Sequence, residues 1–136
     1  MCELVTAVNK ENFADFRYVH AQMEEDTYWT CDRIFEKIDA WKIFAYYEND
    51  MPTGAIFLSG ANDYLEIYGI EFVEGKYNKE SFTALMVAAL NEGKKSGAKY
   101  LTFFSDAEDQ TPERQAIIEE LGFYYIGQYV CYMKIL

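Results

Sequence analysis

The sequence predicts a single α/β domain spanning residues 1–136, with elements in the order β-α-α-β-β-β-α-β-α-β-β around a mixed sheet. Three observations carry that expectation. Strand-like and helix-periodic runs alternate along the whole chain, with turn residues between them. The segment 64–104 reads strand–helix–strand, which closes as a parallel pair with a right-handed crossover. The segment 41–59 reads as an antiparallel hairpin, so parallel and antiparallel pairs share one sheet with helices on both faces.

Taken in order, residues 3–8 form a short first strand. Asn9 is placed to cap a helix carrying Phe13, Phe16, Val19 and Met23 at helical spacing. The run Glu24-Glu25-Asp26 suits that helix's end poorly, because anions there oppose the helix dipole; it reads as a solvated loop or a lure for cations. Thr30 or Asp32 starts a second helix with Ile34, Phe35 and Ile38. Trp41 to Glu48 and Thr53 to Ser59 form the hairpin across Asn49-Asp50. After a turn at Gly60 to Asp63, Tyr64 to Val73 is the strongest strand.

Ser81 to Gly97 reads as a helix whose stripe of Phe82, Leu85, Met86, Ala89 and Leu90 faces the core, with Gly97 as a left-handed cap. Lys99 to Phe104 is a strand. Pro112 opens a helix over Glu113 to Leu121, ended by Gly122. Phe123 to Ile126 and Tyr129 to Ile135 are the last expected strands, turned at Gly127-Gln128.

Composition bounds the function. At 136 residues one core forms without staples. The 12 basic residues against 23 acidic ones give a net charge of −11, which repels nucleic acid and attracts amines or basic partners, besides aiding solubility. The three cysteines, Cys2, Cys31 and Cys131, are far apart and form no C-x-x-C, as expected of reduced thiols in a cytoplasmic protein. No apolar run reaches a membrane span, and no signal peptide is visible. His20 has no Cys or carboxylate at metal or triad spacing and reads as a surface or boundary residue.

Several landmarks coincide. Ile70-Glu71-Phe72 ends the central strand, Leu85 lies on the following helix, Gly97-Ala98 ends that helix, and Leu121-Gly122-Phe123 ends the later one. In these features and their spacing the chain resembles the GNAT N-acetyltransferase superfamily. The resemblance implies acetyl-CoA as cofactor and an amine, on a small molecule or a protein, as acceptor. It implies that the pantetheine arm pairs with the backbone of Ile70, Phe72 and Val73, and that the pyrophosphate meets the loop holding Lys76, Tyr77, Lys79 and Ser81.

The family's basic or amide residue in that loop is replaced by Tyr77, and its two glycines by Glu80 and Phe82. Glycine serves there because backbone N–H groups must approach the phosphates closely. Glu80 instead answers the helix dipole with the chain's own carboxylate. The family's Asn and its general-acid Tyr fall on Thr111 and Ile118, neither of which protonates a thiolate as a phenol does. Glu66 falls where one branch of the family carries its general base, and strand alternation places it with Tyr64, Tyr68, Ile70 and Phe72, opposite Glu71. A structural or solvent-facing role for Glu66 is the alternative. No metal site is expected. Two functions follow: an N-acyltransferase with impaired cofactor binding, or an inactive binding module that pairs with a second copy or a second such domain, for instance through its aromatic last strand.

Overall fold

The computed structural model describes residues 4–61, 63–104, 111–127 and 134–135. They fall into two compact units, Met1–Phe103 and Phe104–Leu136.

The first unit holds a sheet of five strands in sequence order: β1 (Val5–Ala7), β2 (Lys42–Glu48), β3 (Met51–Ala61), β4 (Tyr64–Phe72) and β5 (Tyr100–Phe103). Neighbours are antiparallel as far as β4, and β5 joins β4 in parallel. The expected hairpin forms at Asn49 and Asp50, which adopt φ of 51° and 66°, the left-handed pair of a tight strand turn. β3 outruns expectation. Gly60 continues the strand opposite Leu65, where a Cβ would lie 2.2 Å from the Tyr64 carbonyl oxygen.

Helix α1 (Phe13–His20) does not start on an Asn9 cap. Asn9 and Asn12 instead exchange bonds in the turn before it: each backbone N–H donates to the other's Oδ1. The chain then tightens into a 3-10 turn over Ala21–Asp26, so Met23 leaves the helical stripe and is exposed. α2 (Cys31–Glu36) is capped by Thr30, whose hydroxyl accepts from the Arg33 N–H.

Phe13, Phe16 and Val19 of α1 pack with Cys31 and Ile34 of α2 onto Ile43, Ala55 and Phe57 of the sheet. Ile56 and Leu58 alternate to the opposite face, which takes α3 (Lys79–Lys95) and its buried Phe82, Leu85, Met86 and Ala89. α3 ends as expected: Gly97 has φ 77°, its N–H reaches Lys94 O, and the Ala98 N–H reaches Gly93 O.

In the second unit, α4 (Pro112–Glu120) is capped by the Thr111 hydroxyl and closed by Gly122 at φ 96°. The strand expected at Phe123 to Ile126 does not form. Those residues carry no regular structure, and Tyr124, Tyr125 and Ile126 are exposed. Most of the strand expected at Tyr129 to Ile135 lies outside the described residues. No helix among the described residues is long and apolar enough to cross a membrane.

Candidate functional site

The site begins with a defect in β4. Phe57 pairs with Gly69 and Leu58 with Ile67, leaving Tyr68 as an extra residue in the ladder. This β-bulge puts Tyr68 and Gly69 on one face and resets the alternation beyond them. Glu66 therefore shares its face with Tyr64 and Tyr68, as expected, but with Glu71 as well, while Ile70 and Phe72 turn to the α3 face. The sequence reading had those assignments reversed past residue 68, because strict alternation carries no mark of an inserted residue.

Gly69 makes the bulge possible. A Cβ there would stand 2.5 Å from the Phe57 ring, which is held against Phe16, His20 and Trp41 and has nowhere to move. Gly69→Ala is expected to cost about 1–3 kcal/mol, read as a lower urea midpoint.

The bulge lies just past the end of the β4–β5 pairing. β4 and β5 pair only from Tyr64↔Tyr100 to Ile67↔Phe103, whereas β4 continues to Phe72 along β3. No strand among the described residues pairs with the far edge of 68–72. The Val73 N–H donates to Thr53 O, so alternation directs the backbone groups of Ile70 and Phe72 toward that open edge. Val73 itself is engaged at both groups, since its carbonyl accepts from the Lys76 N–H.

Beside that edge Glu66 is half-buried. Burial, then the nearby Glu66 carboxylate, push the Tyr68 phenol above its usual range, so it stays a donor. Tyr68 is edge-to-face with Trp41 at 5.1 Å and with Trp29 at 6.3 Å, and the two indoles meet at 5.1 Å.

His20, expected at the surface, is fully buried. Its Nδ1 lies 2.7 Å from Glu71 Oε2, and its Nε2 donates to the Trp29 carbonyl. Both ring nitrogens thus face oxygens, and the imidazole is held at two points. The pair pins the connection between α1 and α2 at the residue that supplies Trp29. The reading of His20 as a surface or boundary residue fails because its partners, Glu71 and Trp29, are 51 and 9 residues away, beyond any local spacing rule.

The start of α3 is closed by its own residues. Asn78 Oδ1 accepts from the Ser81 N–H at 2.7 Å, Ser81 Oγ accepts from the Asn78 N–H at 3.3 Å, and the Ser81 hydroxyl donates to Asn78 O. This reciprocal cap starts the helix two residues before Ser81 and leaves Ser81 fully buried. The Asn78 amide also donates to Glu48 Oε1 at 3.0 Å. Burial, then Glu48 and Glu80, raise the Tyr46 phenol, so both carboxylates act on one neighbouring ring. Glu80, Lys76 and Lys79 are exposed. Phe82 is not over the helix mouth; it is turned into the core beside Tyr77, which also meets Phe72.

Comparison with solved structures then decides the fold. The aminoglycoside acetyltransferase AAC(6')-Iy, in complex with a CoA–aminoglycoside bisubstrate analogue, superposes with TM-score 0.73 at 15% identity, over 97% of each chain. A ribosomal-protein-alanine N-acetyltransferase from Brucella melitensis biovar Abortus 2308 gives 0.69 at 11%, over 96% of this chain and 98% of that one. The chain has the GNAT N-acetyltransferase fold. A transcriptional regulator from Bacillus halodurans also matches, with TM-score 0.68 at 13% identity, over 94% of this chain and 98% of that one. No protein-family model and no curated protein matches the sequence. Two features bear on a cofactor fit: the stretch of β4 past Ile67 that no described strand pairs on the β5 side, and the start of α3. The open backbone edge fits an extended pantetheine arm. The capped, carboxylate-flanked helix start fits a pyrophosphate poorly.

Proposed function

We propose that this GNAT-fold protein is an acyl-CoA-dependent N-acyltransferase that holds its cofactor mainly by the pantetheine arm. The observation that carries the reading is the stretch of β4 past Ile67, which no described strand pairs on the β5 side, directly beside the half-buried Glu66. Acyl-CoA would supply an activated thioester. The chain's own contribution is alignment and proton removal. Ile70 and Phe72 present backbone donors and acceptors along the open edge. An ammonium has no lone pair to attack with, so transfer starts with loss of a proton, and Glu66 is the group placed to take it. Lys76 and Lys79 are the cations nearest in sequence for the phosphates, and Tyr77 lines the same turn. The acceptor is an amine, free or on a protein, in keeping with the chain's net charge of −11.

The Asn78–Ser81 cap supports a second reading, an inactive GNAT-fold module that binds a second copy or another such domain. Here the helix start has exchanged a phosphate for the chain's own side chains. Thiol release from acetyl-CoA in the presence of a panel of amines separates the two. Amine-dependent release above the hydrolytic background supports the transferase. No release, with no binding of acetyl-CoA and a dimer in solution, supports the module.

A further inference from the structure

The aromatic corner beside Glu66 has no part in the proton transfer just described. We propose that it selects the acceptor: an ammonium carried on an apolar stem, rather than a hydroxyl-rich amine. This names the substrate class of the proposed reaction and so rests on that reading.

Trp29, Trp41 and Tyr68 meet at interplanar angles of 73°, 82° and 73°, so their rings form walls rather than a flat stack. Trp41 is buried as the floor, Trp29 is half-buried, and Tyr68 is 44% exposed, which leaves two near-perpendicular ring surfaces at the rim. Ring faces attract a cation and repay an apolar stem, but offer nothing to a row of hydroxyls, which would lose water without gaining partners. Glu66 adds one fixed anion at the end of the corner. Tyr28, next in the chain, already carries a cation: the Arg33 guanidinium lies 4.3 Å from its ring centroid and donates to its carbonyl. Tyr28 in turn stands edge-to-face with Trp29 at 5.0 Å, so that cation lies behind one wall and the rim is left to Trp29 and Tyr68. The His20 bond to the Trp29 carbonyl fixes that wall before any ligand arrives.

The chain has two tryptophans, and both are in the corner, so indole fluorescence reports this site alone. The experiment titrates wild-type protein, without any acyl-CoA, with hexylammonium, tetraethylammonium and glucosamine. Hexylammonium is expected to shift the emission saturably and glucosamine to leave it unchanged at the same concentrations. Tetraethylammonium, which has no N–H, is expected to bind within about tenfold of hexylammonium, because the rings carry most of the recognition. Tyr68→Leu should weaken hexylammonium about tenfold while Tyr68→Phe stays within about threefold. Glu66→Gln should weaken it about tenfold and remove most of its salt dependence. Absence of a saturable response to hexylammonium, glucosamine binding as tightly, or an unaltered Tyr68→Leu overturns the proposal. A protein that binds hexylammonium but transfers no acetyl group refutes the transferase reading and leaves the cation site. One that acetylates glucosamine in preference does the reverse.

Discussion

Glu66→Gln is expected to lower the rate of amine acetylation by about 10²- to 10⁴-fold, the usual worth of a positioned base. The substitution keeps the side chain's shape and an amide oxygen in place of a carboxylate oxygen, so the corner and the bulge remain in place. What it removes is the proton acceptor. The loss is therefore expected to fall on kcat more than on acyl-CoA binding, which the proposal gives to the backbone of Ile70 and Phe72. Raising the pH should partly rescue the variant, because free amine then becomes available in solution without the base. Steady-state thiol release with hexylamine at several pH values measures this. A variant within about threefold of wild type throughout removes Glu66 from the chemistry.

The second large effect is on stability. His20→Ala is expected to cost about 3–5 kcal/mol. It strips the partner from Glu71, whose side chain is 12% exposed, and leaves the Trp29 carbonyl without its donor. It also opens a cavity where the imidazole stacks on Phe16 at 5.0 Å and meets Phe57 edge-on at 5.1 Å. Glu71→Gln keeps a hydrogen-bond acceptor for Nδ1 and should cost roughly 1–2 kcal/mol. Urea unfolding followed by tryptophan emission reads both. A loss under about 1 kcal/mol for His20→Ala contradicts the structural role assigned to the pair.

The contrast between those residues shows what a sequence makes legible. Local rules found what local physics determines. Asn49-Asp50 turns a hairpin because short polar residues tolerate positive φ, and Gly97 and Gly122 end helices for the same reason. The apolar stripe of α3 and the parallel β4–α3–β5 unit followed from periodicity and handedness. The Asn9 cap was misplaced by three residues, because Asn9 and Asn12 bond to each other.

The site was less legible. Its layout depends on a bulge that no alternation pattern announces and on a buried ion pair joining residues far apart in sequence. Phe82 looked like an obstacle at the helix mouth because it replaced a glycine; its place on the core stripe turns it inward. The helix start is closed by Asn78 instead, in a plain Asn-x-x-Ser pattern.

The central claim is that the chain grips the pantetheine arm but little of the nucleotide. The direct test is calorimetric titration of one protein preparation with acetyl-CoA and with S-acetylpantetheine, which lacks the diphosphate nucleotide. Affinities within about tenfold of each other are the expected result, with Asn78→Gly/Glu80→Gly shifting the preference toward acetyl-CoA by opening the helix start. Acetyl-CoA binding a hundredfold or more tighter than S-acetylpantetheine in the wild-type protein contradicts the claim, because the capped start of α3 would then be a working phosphate site.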